Sequence, residues 1–534
     1  KALQALACQL EGIEIEDLLD LPVMSDRQTQ VTMKLLADLG APIFVSVPQL
    51  LPIISSTMVS LSLEFGNTPS SAMGYVNHGF ILSAFLGDVE TGYSFGKLAL
   101  DLADRLNARE FKGRISFLFS NWIQHRREPI RETIPTLQYA YIASMETGDF
   151  IAIGYSISCY FDANLLCGAE LNTWASEISS YSKDLERVKQ YSAQAYLEMK
   201  QQVALNLMAR GCQQDCLIGT AYDETVMIPK HLQDGDLTAL AYAYIYKLML
   251  AYLFSNYTVA LENITSGEQY LQAVSGMIPI PVFHFYAALT HLALFTQQSE
   301  SEQAEALAQA NIHQAVIHQW AQNAPMNYLH KWDLIEAEKQ RLLGNRAAAL
   351  EHYDRAIAGA KEHEFVHEEA LANELATKFY FNWGKEKIAQ TYAIEAYYCY
   401  GRWGATAKLN HLAILYPQLL APILDRDPVD ITDLEMTAQI SNSITGSCEF
   451  LDLTTMLKAS QAISEQIKLD RLINSLLEIV IANAGADKCV LLLKAAAELQ
   501  VVARVELGQQ PQFLEPVPCD LSTDLAISLV NKVK

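Results

Sequence analysis

The sequence predicts a mostly α fold: a stacked array of amphipathic helices, then the start of a smaller α/β domain. Three observations carry this. Apolar residues recur at three- and four-residue steps through most of residues 20–420, as in Ser94–Leu106 and Leu237–Leu261. Short Gly, Asn, Asp or Pro turns separate these stretches, and strand-like alternation is scarce among them. Finally, Gly and Ala recur twelve residues apart, at Gly87/Ala99, Gly344/Ala356 and Gly384/Ala396, with helix-forming sequence between them.

Taken in order, residues 1–420 read as the helical repeat region. Small residues at the Gly and Ala positions are expected to let paired helices approach closely. The last two units are offset by 40 residues, longer than the roughly 34 of a standard tetratricopeptide unit. Gly148-Asp149 and Gly235-Asp236 also open helical stretches, but their twelfth residues are Tyr160 and Lys247, so the repeat is degenerate. Residues 421–450 read as a linker, from Ala421-Pro422 through a polar run with Ser441, Asn442, Ser443 and Gly446. Residues 451–485 read as one helix whose stripe Leu453, Leu457, Ile463, Ile467, Leu469, Leu472, Leu476 and Ile479 suits either a coiled-coil seam or packing on the next domain. Residues 486–534 turn to strands. Cys489–Leu493 is a short apolar run, and Glu498–Glu506 alternates with Leu499, Val501, Ala503 and Val505 on one face. A proline-containing loop and the start of a helix at Leu525–Val533 follow. The opening at Lys1 and the end inside a helical pattern read as a segment of a longer polypeptide.

Composition narrows the function classes. The 534 residues are 51% hydrophobic and 19% charged, which excludes disorder over most of the length. Lys and Arg number 38 against 61 Asp and Glu, a formal charge of −23 that repels phosphate backbones, so no nucleic-acid partner is expected. The densest basic spot, His125-Arg126-Arg127 with Arg131, is diluted by Glu128 and Glu132. Nine scattered cysteines suit a reducing, cytoplasmic compartment rather than a disulfide framework. Leu39–Leu63 and Gln269–Ser299 lack Asp, Glu, Lys and Arg, but prolines and polar residues interrupt both, and neither has Lys/Arg-rich flanks. They read as buried helices, with no membrane partner.

One motif resembles catalytic machinery: His363-Glu364-Phe365-Val366-His367 is a literal H-E-x-x-H. On a continuous helix this spacing puts two imidazoles on one face, where they hold zinc with the Glu as general base. Glu386 is the nominal third ligand. The rival expectation places the motif at a junction between helices. Cys212 and Cys216 lie one helical turn apart with His231 beyond, but no second pair accompanies them. His284, His291, His313 and His318 read as packing or surface histidines, and the cluster Tyr242, Tyr244, Tyr246, Tyr252, Phe254 and Tyr257 as core. No phosphate loop, kinase glycine loop or kinase catalytic loop occurs. The expected catalytic, cofactor-binding and metal-binding residues are therefore none.

Glu369–Tyr380, Gly384–Tyr392 and Ile394–Gly404 carry a resemblance, joined by Gly87–Leu100, Ala324–Lys331, Asp452–Ile463 and Asn483–Leu493. These stretches resemble the large bacterial, especially cyanobacterial, multidomain signalling kinases. Such proteins join a Ser/Thr-kinase-like domain, a STAND-type P-loop ATPase, a tetratricopeptide-like (TPR-like) helical region, a GAF domain and a histidine kinase. The resemblance implies that this chain is a TPR-like solenoid, a linking helix and an incomplete GAF domain. It implies a non-catalytic relay segment, with the ATP- and Mg²⁺-using domains of the parent outside it. The implied partners are neighbouring domains of the same polypeptide, a protein on the helical repeats, and a second copy through 451–485. The alternatives are a stand-alone TPR scaffold, or a zinc hydrolase through His363, Glu364 and His367.

Overall fold

The computed structural model describes residues 1–211, 213–424, 488–495, 498–506 and 512–518. The fold is mostly α. Residues Lys1–Ala421 form one compact unit and Pro422–Lys534 a second. In chain order the helices are α1 (Ala2–Gln9), α2 (Arg27–Ser46), α3 (Leu51–Phe65), α4 (Ser71–Phe80), α5 (Val89–Arg105), α6 (Arg109–Trp122) and α7 (Thr133–Thr147). Next come α8 (Phe150–Leu166), α9 (Leu171–Arg187), α10 (Tyr191–Leu207), α11 (Glu224–Asp234), α12 (Leu237–Leu253), α13 (Tyr257–Gly267) and α14 (Pro279–Leu294). The unit closes with α15 (Glu300–Asn323), α16 (Pro325–Leu342), α17 (Arg346–Glu362), α18 (Val366–Asn382), α19 (Glu386–Trp403), α20 (Thr406–Leu415) and α21 (Pro417–Leu424).

A local rule sets the rhythm. Each of many turns carries one residue in the left-handed region, and the next residue or two start the following helix. Gly344, Glu364, Gly384 and Gly404 have φ of +80°, +60°, +74° and +88°, twenty residues apart. Gly87, Gly148 and Gly235 take the same conformation, as do the non-glycines Asn107, Lys189, Ala209 and Ser255. The residue after the glycine is often the N-cap: the Asp88, Asp149 and Asp236 carboxylates accept from the Thr91, Ala152 and Ala239 amides. This corrects the expected role of the glycines. A Cβ on Gly344 or Gly384 would meet nothing within 4 Å, so these residues serve backbone conformation and not close approach. The alanines do the close packing: Ala99, Ala356 and Ala396 are all fully buried.

The even-numbered helices from α4 to α18 form an inner layer, each packed on the even helix before and after it, while α5, α7, α9, α13, α15, α17 and α19 flank them outside. An inner helix is enclosed on nearly every side, so it has no polar stripe to show. This explains the charge-free sequence at Gln269–Ser299, whose helix α14 buries Phe283, Phe285, Tyr286 and Leu289. The helix at Pro279–Gln297 is long and apolar enough to cross a membrane, yet 61% of it is buried inside the protein. Of the expected core cluster, Tyr242, Tyr246 and Tyr252 are buried, while Tyr244, Phe254 and Tyr257 are half-buried at its margin.

The described part of the second unit is an antiparallel sheet of order β1-β2-β3: β1 (Lys488–Ala495), β2 (Glu498–Glu506) and β3 (Gln512–Pro518). The first two strands were expected. The uninterrupted alternation of β2 was not correct, because Leu491 pairs with Ala503 and Leu492 with Val501, leaving Val502 in a bulge. The expected proline-containing loop is in part β3, where Pro516 and Pro518 are tolerated because the strand pairs on one side only among the described residues. The proposed linker is helical over its first four residues, which end α21. The rest of 421–450, the 451–485 helix and the Leu525–Val533 helix lie outside the described residues.

Candidate functional site

An open solenoid touches itself only between neighbouring repeats. Here the chain packs across itself over far longer separations, along a seam between its two halves. Asn327, 1% exposed near the start of α16, is the central piece. Its Oδ1 accepts from the Ile130 amide at 2.9 Å, and its Nδ2 donates to the His125 and Glu128 carbonyls at 2.9 and 2.8 Å. One side chain thus satisfies three backbone groups of the irregular α6–α7 connection, where no helix ladder reaches them. His125 donates from Nε2 to the Asn121 carbonyl at 2.9 Å, and its Nδ1 accepts the Tyr328 hydroxyl at 3.2 Å. Burial holds the His125 imidazole neutral, with its pKa lowered to about 3.

The seam continues on both sides. Trp122 Nε1 donates to the Ser275 carbonyl at 3.0 Å, and the Arg126 guanidinium lies 4.1 Å over the Trp320 ring. Arg131 donates to the Cys167 and Glu364 carbonyls, both at 3.3 Å. Lys408 Nζ donates to the Leu253 carbonyl at 2.6 Å.

Behind this seam sit buried ion pairs. Glu368 Oε2 accepts from Lys331 Nζ at 2.6 Å and from His330 Nε2, while Lys331 also donates to the Asn327 carbonyl at 3.0 Å. His367 Nε2 lies 3.6 Å from Glu368 Oε1. The Lys331 charge and the hydrogen bond from His330 hold the Glu368 carboxyl well below its usual range against the cost of burial. Burial lowers His330 and His367 to about 4, so both are neutral at pH 7. Lys408 pairs with Glu374 at 2.9 Å and Lys200 with Asp162 at 3.3 Å, both lysines fully buried.

The H-E-x-x-H motif falls at the edge of this seam, and its geometry is not that of a zinc helix. His363 ends α17, Glu364 is the left-handed turn residue at φ +60°, and His367 is the second residue of α18. The two imidazoles therefore do not share a helical face. Glu364 faces Arg131 at 3.4 Å, and His367 is buried against Trp403 and Glu368. Glu386 begins α19, a helix further on. Among the described residues no group of three or more His, Cys, Asp or Glu side chains has metal-holding geometry. Cys212 lies outside the described residues, and Cys216 Sγ donates to Gln213 at 2.9 Å. His284 and His313 contact through their Nδ1 atoms at 2.8 Å, His291 stacks on His313, and His318 lies against Trp332. His284, His291 and His313 are packing histidines, and His318 is a surface one.

No single motif marked the seam in the sequence. Its working parts are an asparagine, a lysine and carbonyls some 200 residues apart in the chain.

No family model matches the chain. A stretch of 118 residues, 22% of this chain, is 28% identical to the hybrid signal transduction histidine kinase G of Dictyostelium discoideum. Part of this chain is similar to a signalling kinase. The match spans 3% of that protein's length, so it carries relatedness to signal-transduction kinases and not the activity of the whole relative.

Proposed function

We propose that this chain is a non-catalytic regulatory and interaction segment of a multidomain two-component signalling kinase. In this reading a TPR-like array couples an upstream ATPase and Ser/Thr-kinase module to a downstream GAF–histidine kinase module, in the cytoplasm. The sheet at residues 488–518 would be the first part of the GAF domain, and the parent would use ATP and Mg²⁺ in domains outside this segment. Partners would be its neighbouring domains, a protein on the outer helices, and a second copy through residues 451–485.

The observation that carries the reading is the seam. A displacement of α16 moves the 125–131 connection with it, because Asn327 bonds both. An element packed this tightly has few intermediate arrangements, so a push at one half is delivered to the other. Partial similarity to a hybrid histidine kinase supports the signalling context.

The test begins with sequencing the gene outward from both ends. A phosphate-loop ATPase upstream and a phosphoacceptor-histidine helix downstream are expected. In the full-length protein, Asn327→Ala should then change histidine autophosphorylation measured with labelled ATP. A wild-type rate in a folded Asn327→Ala protein refutes the coupling, and a start and stop codon flanking this segment refutes the kinase context.

A further inference from the structure

The inner layer is not filled everywhere. Between α2, α4, α6 and α8, near the first turn of α12, lies a cavity of about 320 Å³. This is about twice the ~150 Å³ of an engineered apolar cavity that stays dry and admits benzene. Its walls are aromatic: Phe44, Phe80 and Phe117 surround Trp122 with ring centroids 5.7, 5.0 and 5.4 Å from it. Water in such a space finds few hydrogen-bond partners, and the rings facing it forgo contacts that an apolar occupant would supply.

Asn77 and Arg114 break the apolar lining, beside the hydroxyls of Tyr155 and Thr238, and both can donate. Asn77 on α4 is 4% exposed and lines the cavity, and its side-chain amide has no hydrogen-bond partner among the described residues. Arg114 on α6 also lines it. Its Nε donates to Asp149 Oδ2 at 2.8 Å, and its two terminal nitrogens have no other ion-pair partner among the described residues. A mostly apolar pocket with a few convergent polar groups is the usual form of a small-ligand site. A guanidinium with its terminal nitrogens left to donate, and an amide beside it, favour an acceptor that carries negative charge.

We propose that this cavity binds a small amphiphilic carboxylate, a medium-chain fatty acid in chemical class, with its tail among the aromatic rings and its carboxylate at Arg114 and Asn77. The site is distinct from the seam, and ligand binding does not depend on the signalling reading. Because Phe44 and Met277 both line it, an occupied cavity ties the first helices of the unit to the segment that enters α14.

The experiment is calorimetric titration of the full chain with decanoate, decanol and decylamine below their micellar concentrations. Decanoate should bind saturably at one site, with decylamine weaker by about tenfold or more, the worth of a charge-assisted hydrogen bond. Leu118→Trp fills the cavity and should abolish binding while the far-ultraviolet dichroism stays unchanged. Ala273→Leu fills the opposite wall and serves the same purpose if Leu118→Trp does not fold. Arg114→Met should erase the preference for decanoate over decanol. Absence of saturable decanoate binding, binding that survives a folded cavity-filling variant, or a preference unmoved by Arg114→Met each overturns the proposal.

Discussion

Replacing Asn327 with alanine tests the seam most directly. The substitution removes the acceptor of the Ile130 amide and the donor to the His125 and Glu128 carbonyls, all at a site 1% exposed. A buried backbone group left without a partner costs about 1–3 kcal/mol, and a carbonyl less than an amide. The sum is about 3–5 kcal/mol, far above the ~0.5 kcal/mol typical of a surface change. Asn327→Asp separates the two halves of this effect. It keeps the acceptor for Ile130 but sets a carboxylate against two carbonyl oxygens, so it should be as damaging at pH 7 and milder once protonated. Urea unfolding gives the size of the effect. Amide hydrogen exchange gives its place: residues 125–131 and 325–331 should lose protection together, because one side chain ties them. A loss below ~0.5 kcal/mol, or faster exchange confined to residues 325–331, would refute the seam as a mutual latch.

Three further outcomes follow from the buried charges and the turn. Glu368→Gln strands the buried Lys331 ammonium and should cost about 3–5 kcal/mol in thermal melts, while Glu368→Leu with Lys331→Met should recover much of it; equal losses in both would sink the ion-pair account. His125, His330 and His367 stay neutral in the fold, with pKa values lowered from 6.5 to about 3, 4 and 4, while the unfolded chain binds those protons below pH 6.5. Their contribution to stability should therefore be full above pH 6.5 and fall toward pH 4 at up to ~4 kcal/mol per pH unit, and His78, His284, His313 and His411, lowered likewise by burial, add to the loss. Depressed Glu368 adds a further loss below about pH 4.5; urea midpoints unchanged from pH 7 to 5 would contradict this. His363→Ala should leave both the melting temperature and the metal content unchanged, since His363 and His367 lie on separate helices; one zinc per chain, lost in this variant, would restore the hydrolase reading.

Much of the architecture was legible because its signals are local. Helical periodicity marked the helices, and Gly-Asp pairs marked the turns at Gly148 and Gly235. The same turn is built at Asn107, Lys189, Ala209, Ser255 and Glu364 without glycine, so half of the twenty-residue rhythm was silent. Glu364 shows the cost of that silence: the residue that makes the H-E-x-x-H legible as a motif is the one whose left-handed backbone breaks the helix the motif requires. The strand β3 was hidden by prolines that an edge position forgives. The seam was invisible for a different reason. Asn327, Lys331 and His125 have no spacing relation to their partners, and a buried Asn reads in sequence like any surface Asn.

An open stack of helix pairs can gain or lose one pair at little cost, since each new pair meets only its neighbours. This chain has given up that freedom. Adding a 40-residue pair anywhere between Ile130 and Asn327 would carry Asn327 one step past the amide it caps, and a pair added after Leu253 would also slide Lys408 away from the Leu253 carbonyl. The seam therefore fixes the number of repeats as well as their packing, and variation in length should be confined to turns that lie off it.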